Sequence, residues 1–291
     1  MRRLLPLLLA VAAATGVAVA VAQAPSDGGR DSAGASAQPL PAPDAALPRQ
    51  PAALAEAFAA TTRRLRAALG SWNPSDTVPR DVTYLALHHQ RMLRVMAKRR
   101  ALGNATLARL PEAVRGEARD SVRAMRHLAD IPRDLKNLPR LRVARAAAAA
   151  ELRRFYGEAQ RRFGVHWTIL ASVNFVESAF GRIRSASEAG ARGPMQFLPA
   201  TWRQYGMGGD INDPRDAILA AANYLRASGA RDDIDRALFA YNHSTSYVRA
   251  IRRFAARMRS DERTFLTYYS WQAYMRTASG GTRRLTGPGR G

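Results

Sequence analysis

The sequence contains no cysteine, which excludes disulfide frameworks, thiol nucleophiles and Cys-based metal sites together. Lysine is almost missing too: Lys98 and Lys136 are the only two, although Lys and Arg together number 45. Acids are scarce, with 23 Asp and Glu in all, and no alternating apolar run is long enough for a buried strand. Metal-ligand spacing is absent as well. His88 and His89 are adjacent and so cannot share a helix face. His127, His166 and His243 have no acidic or His neighbour at ligand spacing, and no metal is expected. The acidic run Asp210–Asp213 lacks the glycine-centred, Glu-terminated loop of a calcium site and reads better as a helix cap.

What is present is a chain of 291 residues, enough for one or two domains with a real core, and a net charge of +22. Such a charge calls for an anionic partner. Nucleic acid is one candidate. The bacterial cell wall is another, through its stem-peptide carboxylates and attached anionic polymers. The start of the chain decides between them. Arg2 and Arg3 precede an apolar run from Leu4 to Ala22 that ends in small residues, the pattern of a secretory signal over 1–22. The run is close to the length of a membrane anchor, but its alanines, Pro6 and Gly16 favour cleavage after Ala22. The body of the protein is therefore expected outside the cytoplasm: secreted, in the cell wall or in the periplasm. No nucleic acid is expected as partner, and membrane contact only through an uncleaved signal. No cysteine follows the run, which excludes a lipid anchor.

Residues 23–51 are rich in Pro, Ala, Ser, Gly and Asp and read as a disordered linker. A helical, basic N-terminal region follows over 52–140. Its apolar positions are Leu54, Phe58, Leu65 and Leu69 up to Gly70; Val82, Leu85, Met92, Val95 and Met96 after Pro79 and up to Gly103; and Val114, Val122, Met125 and Leu128 up to Pro132. A second unit spans 141–278. An Ala/Arg helix runs from about Val143 to Phe163 and stops at Gly164. A helix over Trp167–Val176 follows, then a loop through Gly181 and 185–193, and a short helix over Pro199–Tyr205. Asp213-Pro214 with Asp216 marks one more start, Asp233 or Ile234 another, and Ser246 opens the last helix of the unit. The segment 279–291, made of Gly, Arg and Pro, reads as a disordered tail. The expected fold is all-α.

Chemistry concentrates in three short segments of the second unit. Glu177 ends an apolar helix and precedes Ala179 and Phe180. Burial disfavours its charged form, and the negative end of the helix pushes the same way, as a general acid requires. A surface Glu paired with Arg182 or Arg184 is the plainer reading of that residue taken alone. The stretch Gly190-Ala191-Arg192-Gly193-Pro194-Met195-Gln196 offers a tight turn and one amide with both donor and acceptor, while Met195 reads as core. Ala240-Tyr241-Asn242 offers a phenol and a second amide. Trp202 and Tyr205 read as core packing.

In order and spacing, Glu177-Ser178, the 190–196 stretch and Ala240-Tyr241-Asn242 resemble the lytic transglycosylases of the soluble lytic transglycosylase (SLT) type, in the lysozyme-like superfamily and of an actinobacterial-like kind. The resemblance covers roughly Phe155 to Phe254. It implies a lysozyme-like domain behind the helical N-terminal region, with Glu177 as catalytic residue and Ser187, Gln196, Tyr241 and Asn242 binding substrate. It also implies that the Tyr241 hydroxyl points toward Glu177 and that no cofactor is needed. Leu198 departs from the family pattern, where Met is common; the exchange preserves volume. The implied substrate is the glycan strand of peptidoglycan, with anionic wall polymers as possible further partners. One acid/base residue suffices for cleavage between N-acetylmuramic acid and N-acetylglucosamine with closure of a 1,6-anhydro ring. The alternative is a goose-type lysozyme-like hydrolase, which would need a second carboxylate such as Asp210 or Asp213. A wall-binding protein with a degenerate site is argued against by the intact Glu177, Gln196 and Tyr241.

Overall fold

The computed structural model describes residues 38–131, 142–276 and 282–288. The expected signal over 1–22, the linker as far as residue 37, residues 132–140 of the expected helical region and residues 279–281 and 289–291 of the expected tail lie outside these. Among the described residues the fold is helical. No helix there is long and apolar enough to cross a membrane.

Helix α1 (Pro51–Gly70) begins with Pro at its first position and buries Leu54, Phe58, Leu65 and Leu69, the expected stripe. Helix α2 (Arg80–Lys98) starts just after Pro79 and buries Val82, Leu85, Met92 and Met96. The expected face up to Gly103 is broken at Arg99 (φ −89°, ψ 84°), and α3 (Arg100–Arg109) is a separate helix. The break lets Gly103 lie against the Met96 carbonyl, where an added Cβ would sit 2.1 Å from the oxygen. Helix α4 (Glu112–Ala129) buries Val114, Val122, Met125 and Leu128 as expected. The described part of the expected linker is laid on this layer: Leu40 and Leu47 pack against the core, and Arg64 donates to the Gln38 carbonyl at 2.7 Å.

Helix α5 (Ala149–Phe163) ends at a left-handed Gly164 (φ 75°). It begins six residues later than expected, because Val143 pairs as a β-bridge with Ile183 and Ala144 donates to the Arg182 carbonyl at 2.9 Å. Helix α6 (Trp167–Ser178) buries all of its residues, the polar Thr168, Ser172, Asn174, Glu177 and Ser178 included. Helix α7 (Pro199–Tyr205) follows, then α8 (Pro214–Ala227) and α9 (Ile234–Tyr241), capped by the Asp213 and Asp233 side chains. Helix α10 (Thr245–Ser260) is capped by Ser244 and is not the last: α11 (Arg263–Ser270) follows at once, its first N–H taken by the Asp261 carboxylate at 3.0 Å.

After α11, β1 (Tyr274–Arg276) pairs antiparallel with β2 (Thr282–Arg284), which lies in the segment 279–291, where the sequence suggested a disordered tail. Polar clasps hold it. Leu285 N–H bonds the Ala273 carbonyl at 2.8 Å, Arg94 donates to Thr282 Oγ1 at 2.9 Å, and the Arg94 guanidinium lies 3.6 Å over the Tyr274 ring. Gln90 and the backbone of Gln272 exchange two hydrogen bonds, at 3.0 and 2.9 Å.

One apolar core runs through both halves of the chain, so the boundary expected near residue 140 is no break in packing. Phe175 of α6 stacks on Tyr268 at 5.6 Å and meets Trp271 and Phe254 edge-on. Ser121 of α4 shares a 3.0 Å hydrogen bond with Tyr268. His89 of α2 lies between Phe58 and Trp271, with ring centroids 4.8 and 5.9 Å away.

His89 is fully buried, and neither ring nitrogen has a hydrogen-bond partner; Nε2 stands 3.6 Å from Glu117. Burial lowers its pKa from 6.5 to about 4, against a smaller raising effect of Glu117. The folded pKa lies below the unfolded one, so the stability that the neutral imidazole contributes is present above pH 6.5 and is lost as pH falls toward 4. Thermal or urea unfolding across this window should show a loss of about 3 kcal/mol. His89→Leu should flatten that slope.

Candidate active site

The site is built where α6 ends. Glu177 is the penultimate residue of the helix and only 1% exposed. The chain then turns through three consecutive left-handed residues, Ala179 (φ 52°), Phe180 (φ 62°) and Gly181 (φ 81°). Two of these carry a Cβ, a conformation that persists only where the surroundings impose it. Ser178 supplies part of that: its hydroxyl donates to the Pro194 carbonyl at 2.5 Å and accepts from Gly181 N–H at 2.8 Å. The Phe180 ring supplies more, stacking on Phe175 at 5.4 Å.

The second segment is fastened to the same helix. Asn174, fully buried, donates to the Pro194 carbonyl at 3.2 Å and to Met195 Sδ at 3.1 Å, and accepts from the Tyr156 hydroxyl at 3.1 Å. Arg192 and Phe197 exchange both backbone hydrogen bonds, closing a turn over Gly193–Gln196. Gly193 (φ 74°) lies so close to the Ile211 carbonyl that a Cβ would sit 1.8 Å from its oxygen. Gln196 is itself left-handed (φ 50°) and 7% exposed. Its Nε2 donates to the Gly193 carbonyl at 3.0 Å, while the buried Oε1 accepts no hydrogen bond.

The third segment comes from the α9–α10 junction. Asn242 ends α9; it is buried, and its Nδ2 has no hydrogen-bond partner. Tyr241 donates to the Met195 carbonyl at 2.6 Å. The expectation that its hydroxyl points to Glu177 is therefore corrected: the end of α9 aims it at the backbone of the 193–197 turn. The phenol on Glu177 is Tyr247, from the first turn of α10, which donates to Oε1 at 2.7 Å. Burial, then the neighbouring Glu177, hold both phenols well above the usual range, so they remain donors. Tyr247 escapes sequence reading because it shares helical spacing with Ile251, Phe254 and Met258 and looks like core; only the direction of its hydroxyl reveals it. Asn174 is missed because it lies inside the apolar run of α6; Ser178 stands in the Glu177-Ser178 match but without a role of its own.

Ser187 lies in the loop before the turn. Its hydroxyl accepts from Ala191 N–H at 3.0 Å, so it shapes the loop. Arg182 and Arg184 do not serve as partners for Glu177; Arg182 donates to the Ala179 carbonyl at 3.0 Å and Arg184 toward that of Arg145 at 3.4 Å. Asp210 accepts from Asn212 N–H at 2.9 Å and Asp213 caps α8, so the acids that a hydrolase would need are engaged in loop structure. Trp202 packs on Phe197 at 5.5 Å and Tyr205 on Tyr224 at 4.9 Å. Among the described residues no cluster of His, Asp or Glu could hold a metal ion.

Gly193→Ala should cost ~2 kcal/mol or more, because the new methyl group meets backbone and the residue keeps a positive φ. Urea denaturation measures this. A cost near zero would mean that the turn does not press on the 210–213 loop.

Residues 154–263 match the family model described as the transglycosylase SLT domain. Among curated proteins the chain is similar to the membrane-bound lytic murein transglycosylase F of Thiobacillus denitrificans (strain ATCC 25259 / T1), with 34% identity over 113 residues. That alignment takes in 36% of this chain and 24% of the relative, so the chain spans about a quarter of the length of the protein it matches. No solved structure matches. The family match contains Glu177, Ser187, Gln196, Tyr241, Asn242 and Tyr247 and leaves α1–α4 outside it. The site therefore belongs to an SLT-type transglycosylase domain of lysozyme-like fold, which this chain carries over residues 154–263.

Proposed function

We propose that the protein is a peptidoglycan lytic transglycosylase that works outside the cytoplasm on glycan strands, cleaving the β-1,4 bond between N-acetylmuramic acid and N-acetylglucosamine. The observation that carries this reading is the enclosed carboxyl group of Glu177 at the end of α6, with the Tyr247 hydroxyl 2.7 Å from Oε1, inside the SLT match. Enclosure and the negative end of α6 favour the neutral acid that the first step needs.

In that step Glu177 gives its proton to the glycosidic oxygen, and the bond to the anomeric carbon of the muramic acid breaks. The acetamido group of the same sugar shares the positive charge. Ionised Glu177 then takes the proton of that sugar's 6-hydroxyl, whose oxygen attacks the anomeric carbon and closes the 1,6-anhydro ring. The acid is regenerated, no water is consumed and no cofactor enters. The nucleophile is part of the substrate, so its effective concentration exceeds that of a diffusing one. Tyr247 holds the carboxyl group in place throughout.

Gln196 Oε1 and Asn242 Nδ2 are buried polar atoms without partners, a state that costs free energy unless a ligand supplies the missing bond. An acceptor and a donor of this kind suit the N–H and C=O of an acetamido group. Tyr241 acts through the Met195 carbonyl, fixing the turn that presents Gln196. Ser187 keeps a free O–H for substrate while its oxygen closes the loop. The net charge of +22 suits a wall that carries peptide carboxylates and anionic polymers.

Glu177→Gln should lower the rate of glycan solubilisation from purified peptidoglycan by roughly a thousandfold. A variant that keeps wild-type turnover would sink the assignment. Tyr247→Phe keeps the ring and its packing but loses the hydrogen bond. It should lower kcat by roughly ten- to a hundredfold with little change in KM. An unchanged kcat would mean that Tyr247 does not position Glu177.

A further inference from the structure

The α1–α2 connection, the segment before α5 and the turn after α6 line an open cavity of about 370 Å³ outside the site described above. Ser75, Asp76 and Thr77 line one side, Arg145 and Arg182 the other, and Tyr269 of α11 closes it. The two arginines are its distinctive feature. No ion pair among the described residues includes either of them. The one acid in the lining, Asp76, is an exposed loop residue.

Arg182 is held firmly. Its Nη1 donates to the Ala179 carbonyl at 3.0 Å, and its guanidinium lies 4.5 Å from the centre of the Tyr269 ring. Tyr269 is fixed in turn, donating to the Ala147 carbonyl at 2.8 Å. Arg182 and Arg145 both line the cavity. A partly desolvated guanidinium with no ion-pair partner is costly to hold. Loss of solvent pulls the Arg182 pKa down, and both arginines pull that of Tyr269 down against the larger effect of burial. Both cations line the same cavity as the Tyr269 ring, Arg182 directly against it. The planar fork of Arg suits a two-oxygen anion, and an anion here would supply the missing counter-charge.

We propose that this cavity is an oxyanion-binding site in which Arg182 and Arg145 take a carboxylate of the peptide side chains borne by the glycan substrate. The choice of a peptide carboxylate rests on the transglycosylase reading above; the oxyanion chemistry rests on the two arginines alone. The site gives the N-terminal helices a part in substrate recognition, since the loop between α1 and α2 supplies one wall. It is tied to the chain just after the reacting group, because Arg182 holds the carbonyl of Ala179, two residues beyond Glu177 in sequence.

Isothermal titration of the full chain with N-acetyl-D-alanyl-D-alanine, its C-terminal amide and inorganic phosphate tests the proposal. The peptide acid should bind about tenfold or more tightly than the amide, and Arg182→Gln and Arg145→Gln should each weaken it by a similar factor. Arg145 is exposed, so Arg145→Gln carries the test if Arg182→Gln does not fold. Equal binding of acid and amide, or undiminished binding of the acid by Arg145→Gln, would overturn the site. Phosphate binding more tightly than the peptide acid would overturn the peptide as its ligand. The readout needs no turnover. Binding without glycan cleavage would count against the transglycosylase reading, and cleavage without binding against the cavity.

Discussion

A carboxyl group buried to 1% at the end of a helix with no exposed face is the constraint on which this structure turns. An apolar helix such as α6 can only run through the core, so its last turn delivers Glu177 below the surface. The chain must then reverse within three residues, which forces Ala179 and Phe180 into the left-handed region. That conformation is held by neighbours: Ser178 on Pro194 and Gly181, Phe180 on Phe175, Arg182 on Ala179. The 193–197 turn is held by the same helix through Asn174, and by Tyr241 from the other side. Carboxyl group and amide-bearing turn are thus fixed relative to each other by buried polar ties, as a preorganised site requires.

The helices outside the SLT match serve that arrangement. Phe175, two residues before Glu177, lies among Phe254, Tyr268 and Trp271. Trp271 in turn lies near His89 of α2, and Tyr268 is tied to Ser121 of α4. The rigidity of the last turn of α6 therefore depends on side chains from both halves of the chain. The terminal hairpin adds a polar clasp through Gln90 and Arg94.

Much of this was legible in the sequence where one physical signal dominated. The stripes at Leu54–Leu69, Val82–Met96 and Val114–Leu128 mark real helices, because a 3.6-residue apolar period has few other uses. Asp213-Pro214 and Gly164 mark real ends, because caps satisfy backbone groups that nothing else reaches. The break at Arg99, the extended stretch 143–148, α11 and the terminal hairpin were not legible. They are set by tertiary contacts, namely Gly103 on Met96, Val143 on Ile183 and Arg94 on Thr282, which leave no local period. In the site, Glu177 and the 193–197 turn stood out by residue type and spacing. Tyr247 did not, since a buried tyrosine with helical spacing looks the same whether its hydroxyl meets a carboxylate or a backbone carbonyl. Tyr241 is the converse case: it stood out in the Ala240-Tyr241-Asn242 match, but its partner, the Met195 carbonyl, was not legible.

The chemistry ascribed to Glu177 leaves a mark in the product. Mass spectrometry of the fragments that the protein releases from purified peptidoglycan reads it most directly. The account predicts muramic acid ends in the 1,6-anhydro form, absent when Glu177→Gln is used. Reducing muramic acid ends, heavier by one water, would contradict it and show that water, placed by a group other than those assigned here, is the nucleophile.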